Sequence, residues 1–372
     1  MVNHQEQLPD TPRVWLLTGH RAGDNAQVHA LARLLAQRLP GAVALEEKRL
    51  SWAAPRLLPN LALPPTLAVL SRQARAAITP PWPRLVIGVG RRAVPVARWI
   101  QRRAPAARIV WLGRPRAPLA WFDLLLTTPQ YGLPADAPNV MMLDLPPAQQ
   151  PHTEEEVLAH WRRRLAHLPR PWIAVLVGGA RWPVLFDARD AARLGEQVER
   201  LRALTGGSWI VSTSPRTGIR QSRALHEALR QPGSFHFWRG GEHAADPLKN
   251  PHRALLALAD CFVVTADSAS MLAEAVRTGR ATHMFALRES ALAVHWRARS
   301  GLPRALAASG LLSPPRDMRA FARNLAEKRL ARWLHETLSR STAQKPCPPP
   351  SDAREQALEE AVQRIASWFA KA

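Results

Sequence analysis

Val263-Val264-Thr265-Ala266-Asp267-Ser268-Ala269-Ser270-Met271-Leu272-Ala273-Glu274 is an apolar run that passes through a polar turn directly into a helical pattern. Thr265, Asp267 and Ser268 occupy the turn, and Glu274 stands well inside the helix. A strand that stops where a helix starts leaves backbone N–H groups at the positive end of the helix, a place that favours an anion, most often a phosphate. The other end of the chain repeats the arrangement. There Val14-Trp15-Leu16-Leu17-Thr18 runs into Gly19-His20-Arg21-Ala22-Gly23-Asp24 and then into a helical pattern from Ala26 to Leu39. Two such junctions, far apart in one chain, predict an α/β protein with two nucleotide-binding-type domains facing one cleft.

The chain has 372 residues, too many for one ordinary core and enough for two. Its 47% apolar content excludes a disordered composition. The formal charge of +22 implies an anionic partner: nucleic acid, acidic lipid or phosphorylated substrate. The excess is uneven. Arg91, Arg92, Arg98, Arg102, Arg103, Arg108, Arg114 and Arg116 follow one another with no acidic residue among them. This stretch reads either as a solvated face or as a patch for an anionic membrane surface or phosphate. Cys261 and Cys347 form neither a disulfide framework nor a metal set, which fits a reducing cytoplasm. Met1–Pro12 lacks the pattern of a signal peptide, and no uninterrupted apolar run is long enough to span a bilayer. Any membrane contact is expected to be peripheral, on the inner face.

Strands are predicted at 13–18, 42–50, 84–90, 108–112, 122–127 and 139–143, with helices at 24–39, 67–78 and 91–103. The prolines of 145–151 read as a linker, so the first domain takes 1–150. A helix follows at 152–168, with Thr153 as its N-cap. The second domain, 151–340, alternates again: strands at 172–177, 208–212, 235–238, 261–265 and 281–286, and helices at 188–204, 219–230, 251–259 and 268–278. A second linker at 341–351 leads to an amphipathic helix at 352–370, whose apolar face carries Leu358, Val362, Ile365, Trp368 and Phe369.

In the first loop, Gly19 and Gly23 permit a tight turn and a close backbone approach. His20 and Asp24 are the candidate catalytic groups, as base or hydrogen-bond partner, and Arg21 is suited to a phosphate. The bland alternative is a loop in which Asp24 or Asn25 caps the helix. The Gly-x-Gly-x-x-Gly order of dinucleotide sites is absent here and also after Gly88-Val89-Gly90. Gly178-Gly179 follows a strand. Ser212-Thr213-Ser214-Pro215-Arg216-Thr217-Gly218 offers hydroxyls, an arginine and backbone donors past another, a set that suits a diphosphate or caps the next helix. In the Thr265–Glu274 unit, Glu274 is suited to two ribose hydroxyls. His236, His243 and His283 lack ligand spacing, so no metal is expected. Despite the charge, no nucleic-acid-binding motif is present, and no specific nucleic acid is expected.

These blocks resemble those of the mitochondrial-fission "elongated mitochondria" family and its bacterial relatives. The loop Thr18 to Gln27 is similar to that family's Gly-Lys-x-Gly-x-x-x-Gln, with Arg21 in place of Lys. Ile87 to Ala97, with Gly90, Arg91 and Pro95, resembles its Gly-Arg-Arg-x-x-Pro segment. Val177-Gly178-Gly179, Ser212 to Thr217 and Thr265 to Ala275 resemble its later blocks, in the same order. The resemblance runs from about 13 to 330. Where relatives often carry a Glu- or His-containing segment, this chain has Thr128-Pro129-Gln130-Tyr131. The family is in turn similar to glycosyltransferases of the B-type fold, with two Rossmann-like domains of parallel sheet. Its relatives include the enzyme that adds N-acetylglucosamine to the lipid-linked peptidoglycan precursor, and lipid A disaccharide synthase.

The resemblance implies a nucleotide-diphosphate-sugar, as substrate and not cofactor, on Gly178, Gly179, Ser212, Thr213, Ser214, Arg216, Thr265, Asp267, Ser268 and Glu274. It implies an acceptor near Gly19, Arg21, Gly23, Gln27, Gly90 and Arg91, and a final helix, within 341–372, crossing back to the first domain. Such enzymes usually dispense with a metal. Two readings follow: a metal-independent glycosyltransferase-like enzyme, or a non-catalytic binding and recruitment protein that retains the fold. A third, charge-driven nucleic-acid binding, predicts steep salt dependence.

Overall fold

The computed structural model describes residues 11–39, 41–53, 60–148, 153–230, 233–238, 240, 246–298, 314–339 and 356–370. They form two compact units. The first holds the described residues of Met1–Gln149, Arg299–Pro314 and Glu355–Ala372, and the second those of Gln150–Ala298 and Pro315–Arg354.

The first unit is built on six parallel strands: β1 (Arg13–Thr18), β2 (Ala44–Arg49), β3 (Leu85–Val89), β4 (Arg108–Leu112), β5 (Leu124–Thr127) and β6 (Val140–Met142). Their order is β2-β1-β3-β4-β5-β6. The inner strands are continuous apolar runs because both faces are covered, whereas edge strand β2 alternates half-buried and exposed residues. Side chains of β1 alternate between two cores. Trp15 and Leu17 pack with Trp111, Val96 and Ile100 on one face. Val14 and Leu16 pack with Leu31, Leu35 and Val110 on the other. Helices α1 (Ala22–Arg38), α2 (Arg72–Ala76) and α3 (Val94–Arg103) connect the strands, with Pro95 in the first turn of α3, where its missing N–H is harmless. Gly88 of β3 is required by packing, since a Cβ there would lie 2.4 Å from the Trp111 ring.

The terminal helix Gln356–Ala370 returns to this unit. Leu358, Ala361, Val362 and Ile365 complete the α1-side core, and Trp368 and Phe369 pack half-buried against it. Arg84 donates to the Trp368 carbonyl at 2.5 Å and Arg364 to that of Pro138 at 3.2 Å.

The second unit contains β7 (Trp172–Val177), β8 (Val184–Leu185), β9 (Ser208–Thr213), β10 (Gly233–His236), β11 (Cys261–Thr265), β12 (Ala281–Phe285), β13 (Arg288–Glu289) and β14 (Arg332–Trp333). Six of them form a parallel sheet in the order β10-β9-β7-β11-β12-β14, and β8 pairs antiparallel with β13. Counted from β7, the large sheet runs 3-2-1-4-5-6, the order of doubly wound nucleotide-binding folds. Helices α4 (Glu155–Leu165), α5 (Ala188–Thr205) and α6 (Ile219–Ala228) belong here, together with His252–Leu258, Ala269–Arg277 and Met318–Glu327. Asp187 and Asp190 form a capping box at the start of α5. Cys261 opens β11, where burial and then Asp260 push its thiol up to about 12.

Several local expectations are corrected. The helix expected at 67–78 shrinks to Arg72–Ala76, because Leu70 bridges to Trp52 and Ser71 caps the helix behind it. Glu154, not Thr153, stands at the N-cap of α4, and Thr153 instead donates to the Arg253 carbonyl at 3.4 Å. The strand expected at 235–238 lies at Gly233–His236, in register with β9. The expected linker 341–351, His243 and Cys347 fall outside the described residues.

Candidate functional site

In an open parallel sheet, ligands collect beyond the carboxyl ends of the strands where the winding reverses. In the second unit that point lies between β7 and β11, and the two loops leaving these strands are joined there. The Thr265 hydroxyl accepts the Gly178 N–H at 2.7 Å and donates to Asp267 Oδ1 at 2.7 Å. Asp267 Oδ2 accepts the Gly179 N–H at 3.0 Å and Arg216 Nη2 at 2.8 Å. Ser214 Oγ donates to the Gly178 carbonyl at 2.9 Å, and Thr217 Oγ1 to that of Val177 at 3.0 Å. The two glycines are obligatory. A Cβ on Gly178 would lie 2.2 Å from Asp267 Oδ1, and one on Gly179 2.0 Å from the Arg216 carbonyl oxygen. The Asp267 side chain is 0% exposed, so it holds the loops together. Arg216 Nε is buried and has no hydrogen-bond partner among the described residues.

Other residues marked in the sequence have different surroundings. Ser212 and Thr213 lie within β9, and Thr213 Oγ1 accepts the Trp238 N–H at 2.8 Å. Ser268 caps the helix Ala269–Arg277 by accepting the Met271 N–H at 3.5 Å. Glu274, half-buried on that helix, meets His252 Nε2 at 2.9 Å. His252 opens the next-door helix His252–Leu258, and nothing in the sequence pattern marks it.

The first unit has its own reversal between β1 and β3, and a cavity of about 380 Å³ opens there. Gly19, His20, Arg21, Asp24, Gly90 and Arg91 all line it. Asn25, Trp52 and Arg92 also line it, and the sequence pattern does not single them out as site residues. Gly90 adopts a φ of +77°, the left-handed region that favours glycine. Gly23 corrects its expectation: it lies in the first turn of α1, not in a loop turn, and its carbonyl accepts Gln27 Nε2 at 3.4 Å. Asp24 is likewise inside α1, so it is not the cap, and Arg21 stands 3.9 Å from it. Asn25 does the local bonding, accepting the Gly19 N–H and donating to the Gly19 carbonyl, both at 2.8 Å.

The family model described as "Mitochondrial fission ELM1" matches residues 22–357, which include nearly all of these positions. The chain belongs to the mitochondrial fission ELM1 family. A relative named mitochondrial fission protein ELM1, from Arabidopsis thaliana, is 28% identical over 225 residues, 54% of this chain and 51% of that protein. The chain thus matches about half the length of that ELM1 relative. Among solved structures, LpCGTa in complex with UDP has a TM-score of 0.47 at 12% identity, covering 97% of this chain and all (100%) of that one. UDP-GlcNAc 2-epimerase from Neisseria meningitidis, bound to UDP-GlcNAc, has 0.42 at 11%, covering 95% and 100%.

In this ELM1-family chain several of the 91–116 arginines lie over aromatic rings, while Arg91, Arg102, Arg103, Arg108 and Arg116 are exposed. Arg92 stacks over Trp52, Arg98 over Trp121, Arg103 over Trp99 and Arg108 over Trp368. Burial, and then Arg102, lower the pKa of Arg98. Arg114 donates to the Tyr131 carbonyl at 3.2 Å. No described helix is long and apolar enough to cross a membrane. No group of three or more His, Cys, Asp or Glu among the described residues is placed to hold a metal ion.

Proposed function

We propose that the second unit binds the diphosphate of a nucleotide sugar beside Gly179 and Arg216, and that the chain transfers the sugar to an acceptor held in the cavity of the first unit. The carrying observation is Arg216 Nε, buried and without a partner among the described residues, on an arginine whose Nη2 meets Asp267, two residues before the helix Ala269–Arg277. An unmatched buried donor on a cation is costly, and a phosphate oxygen matches it. Arg216 and the amides of Ala269–Arg277 then stabilise the leaving diphosphate without a metal. Glu274, oriented by His252, takes the ribose hydroxyls. His20 and Asp24 are the candidate bases toward the acceptor. The arginine-rich 91–116 stretch supports peripheral contact with an anionic membrane at its inner face. The test is a thermal-shift screen against UDP-, GDP-, ADP- and CMP-sugars, with Glu274→Ala as control. Saturating ligand should raise Tm by a few degrees. No shift with any of them, or an equal shift in the variant, overturns the reading.

One observation favours a second reading, a binding or recruitment protein without turnover: His20 is exposed, and Asp24 is met by Arg21 and no other described charge. That reading predicts nucleotide binding with no transfer, unaffected by Asp24→Asn.

A further inference from the structure

A cavity of the second unit, about 240 Å³, opens beside Ala266, the residue between Thr265 and Asp267. Sites that enclose drug-sized ligands run to roughly 300–1,000 Å³. This one has room for a single ring, not for a whole nucleotide. Glu289 of β13 lines it, with a side chain only 1% exposed. Its Oε2 is ion-paired with Arg297 and lies 3.6 Å from Arg319 Nε. Its Oε1 is buried and has no hydrogen-bond partner among the described residues. A carboxylate oxygen can only accept, so this position is matched by a hydroxyl or N–H from a ligand.

The other ionisable lining residues are Arg319 and Arg323, one turn apart on Met318–Glu327, and His335. Trp333 and Leu287 add apolar wall. Arg297 is shared between Glu289 and Asp317, and Arg319 also reaches Glu289, so Arg323 is the surplus cation; the balance of the cavity is positive and suits an acidic ligand.

We propose that this cavity takes the glycosyl group of the nucleotide sugar, and that this group carries a carboxylate: the donor is a nucleotide hexuronate. The inference rests on the diphosphate reading above. A ring hydroxyl donates to Glu289 Oε1, and the sugar carboxylate is held by Arg319 and Arg323. A neutral hexose of the same size fits the space but leaves Arg323 without a counter-charge and Arg319 with only its share of Glu289.

Isothermal titration of the full chain with UDP, UDP-glucose and UDP-glucuronate, and with GDP, GDP-mannose and GDP-mannuronate, tests this. The uronate should bind at least tenfold more tightly than the neutral sugar on the same nucleotide. Arg323→Ala, at an exposed position, should erase that preference and leave binding of the bare nucleoside diphosphate unchanged. Glu289→Gln, if it folds, should weaken both sugar forms relative to the bare diphosphate. If a nucleotide binds but uronate and hexose bind equally, the acidic-sugar inference falls and the diphosphate reading stands. If none of the six binds, the acidic-sugar inference falls, and the thermal-shift screen with the remaining nucleotide sugars decides the diphosphate reading.

Discussion

Arg216 and Asp267, 51 residues apart, meet at 2.8 Å on a carboxylate that has no exposed surface. The pair ties the loop after β9 to the loop after β11, and Gly179 is threaded between them. Breaking such a pair from the buried side costs about 3 kcal/mol or more, because the remaining donors lose their acceptor charge. Asp267→Asn should therefore lower urea-unfolding stability by about that much. Arg216→Ala should cost a similar amount, since it leaves the fully buried Asp267 carboxylate with the Thr265 hydroxyl and the Gly179 N–H but no counter-charge.

The double glycine admits no side chain. Gly179→Ala drives a methyl into the Arg216 carbonyl, which belongs to the backbone and cannot rotate away. A loss of about 1–3 kcal/mol is expected, with abolished nucleotide response in the same thermal-shift assay. Full stability together with normal ligand response would show that the loop does not have this form.

His283 predicts a pH dependence. It is buried in β12 with Nδ1 3.1 Å from Thr337 Oγ1. Burial, and then Arg332, lower its pKa from 6.5 to about 4. The unfolded chain therefore takes up the proton before the folded one does. The contribution is complete above pH 6.5 and is lost as the pH falls from 6.5 toward 4, on the order of 3 kcal/mol in all. Urea unfolding at pH 7 and pH 4.5 should show the loss in the wild type and a smaller loss in His283→Gln.

Removal of residues 356–372 should destabilise the first unit selectively. Leu358, Val362 and Ile365 are each buried in its core, and each contributes about 1.5–3 kcal/mol. Their sum is comparable to the whole margin of a domain, about 5–15 kcal/mol. Hydrogen exchange should show amides of β1 and α1 losing protection while those of β7 and β11 keep theirs.

The alternation of strands and helices was readable because buried parallel strands are continuous apolar runs bounded by Gly, Pro and Ser. The returning terminal helix was legible through its stripe of Leu358, Val362 and Ile365 together with the family resemblance. The junctions around Gly178, Arg216 and Asp267 were legible too, since each follows an apolar strand directly. What the sequence left open was direction. Asp267 looked like a ligand group, and it turns inward onto Thr265, Gly179 and Arg216. Gly23 looked like a turn residue, and it continues α1. His252 and Glu289 carried no local signal, because their significance depends on partners brought close by the sheet. The 91–116 arginines read as one surface run, but several lie flat on tryptophans that only the folded chain supplies.

Calorimetric titration of the wild-type chain and of Arg216→Ala with uridine and UDP, with guanosine and GDP, and with adenosine and ADP tests the diphosphate site most directly. One diphosphate should bind while its nucleoside does not, and Arg216→Ala, shown folded by circular dichroism, should weaken it at least tenfold. Equal binding of nucleoside and diphosphate, unchanged affinity in Arg216→Ala, or no binding of any of the three diphosphates would contradict the account.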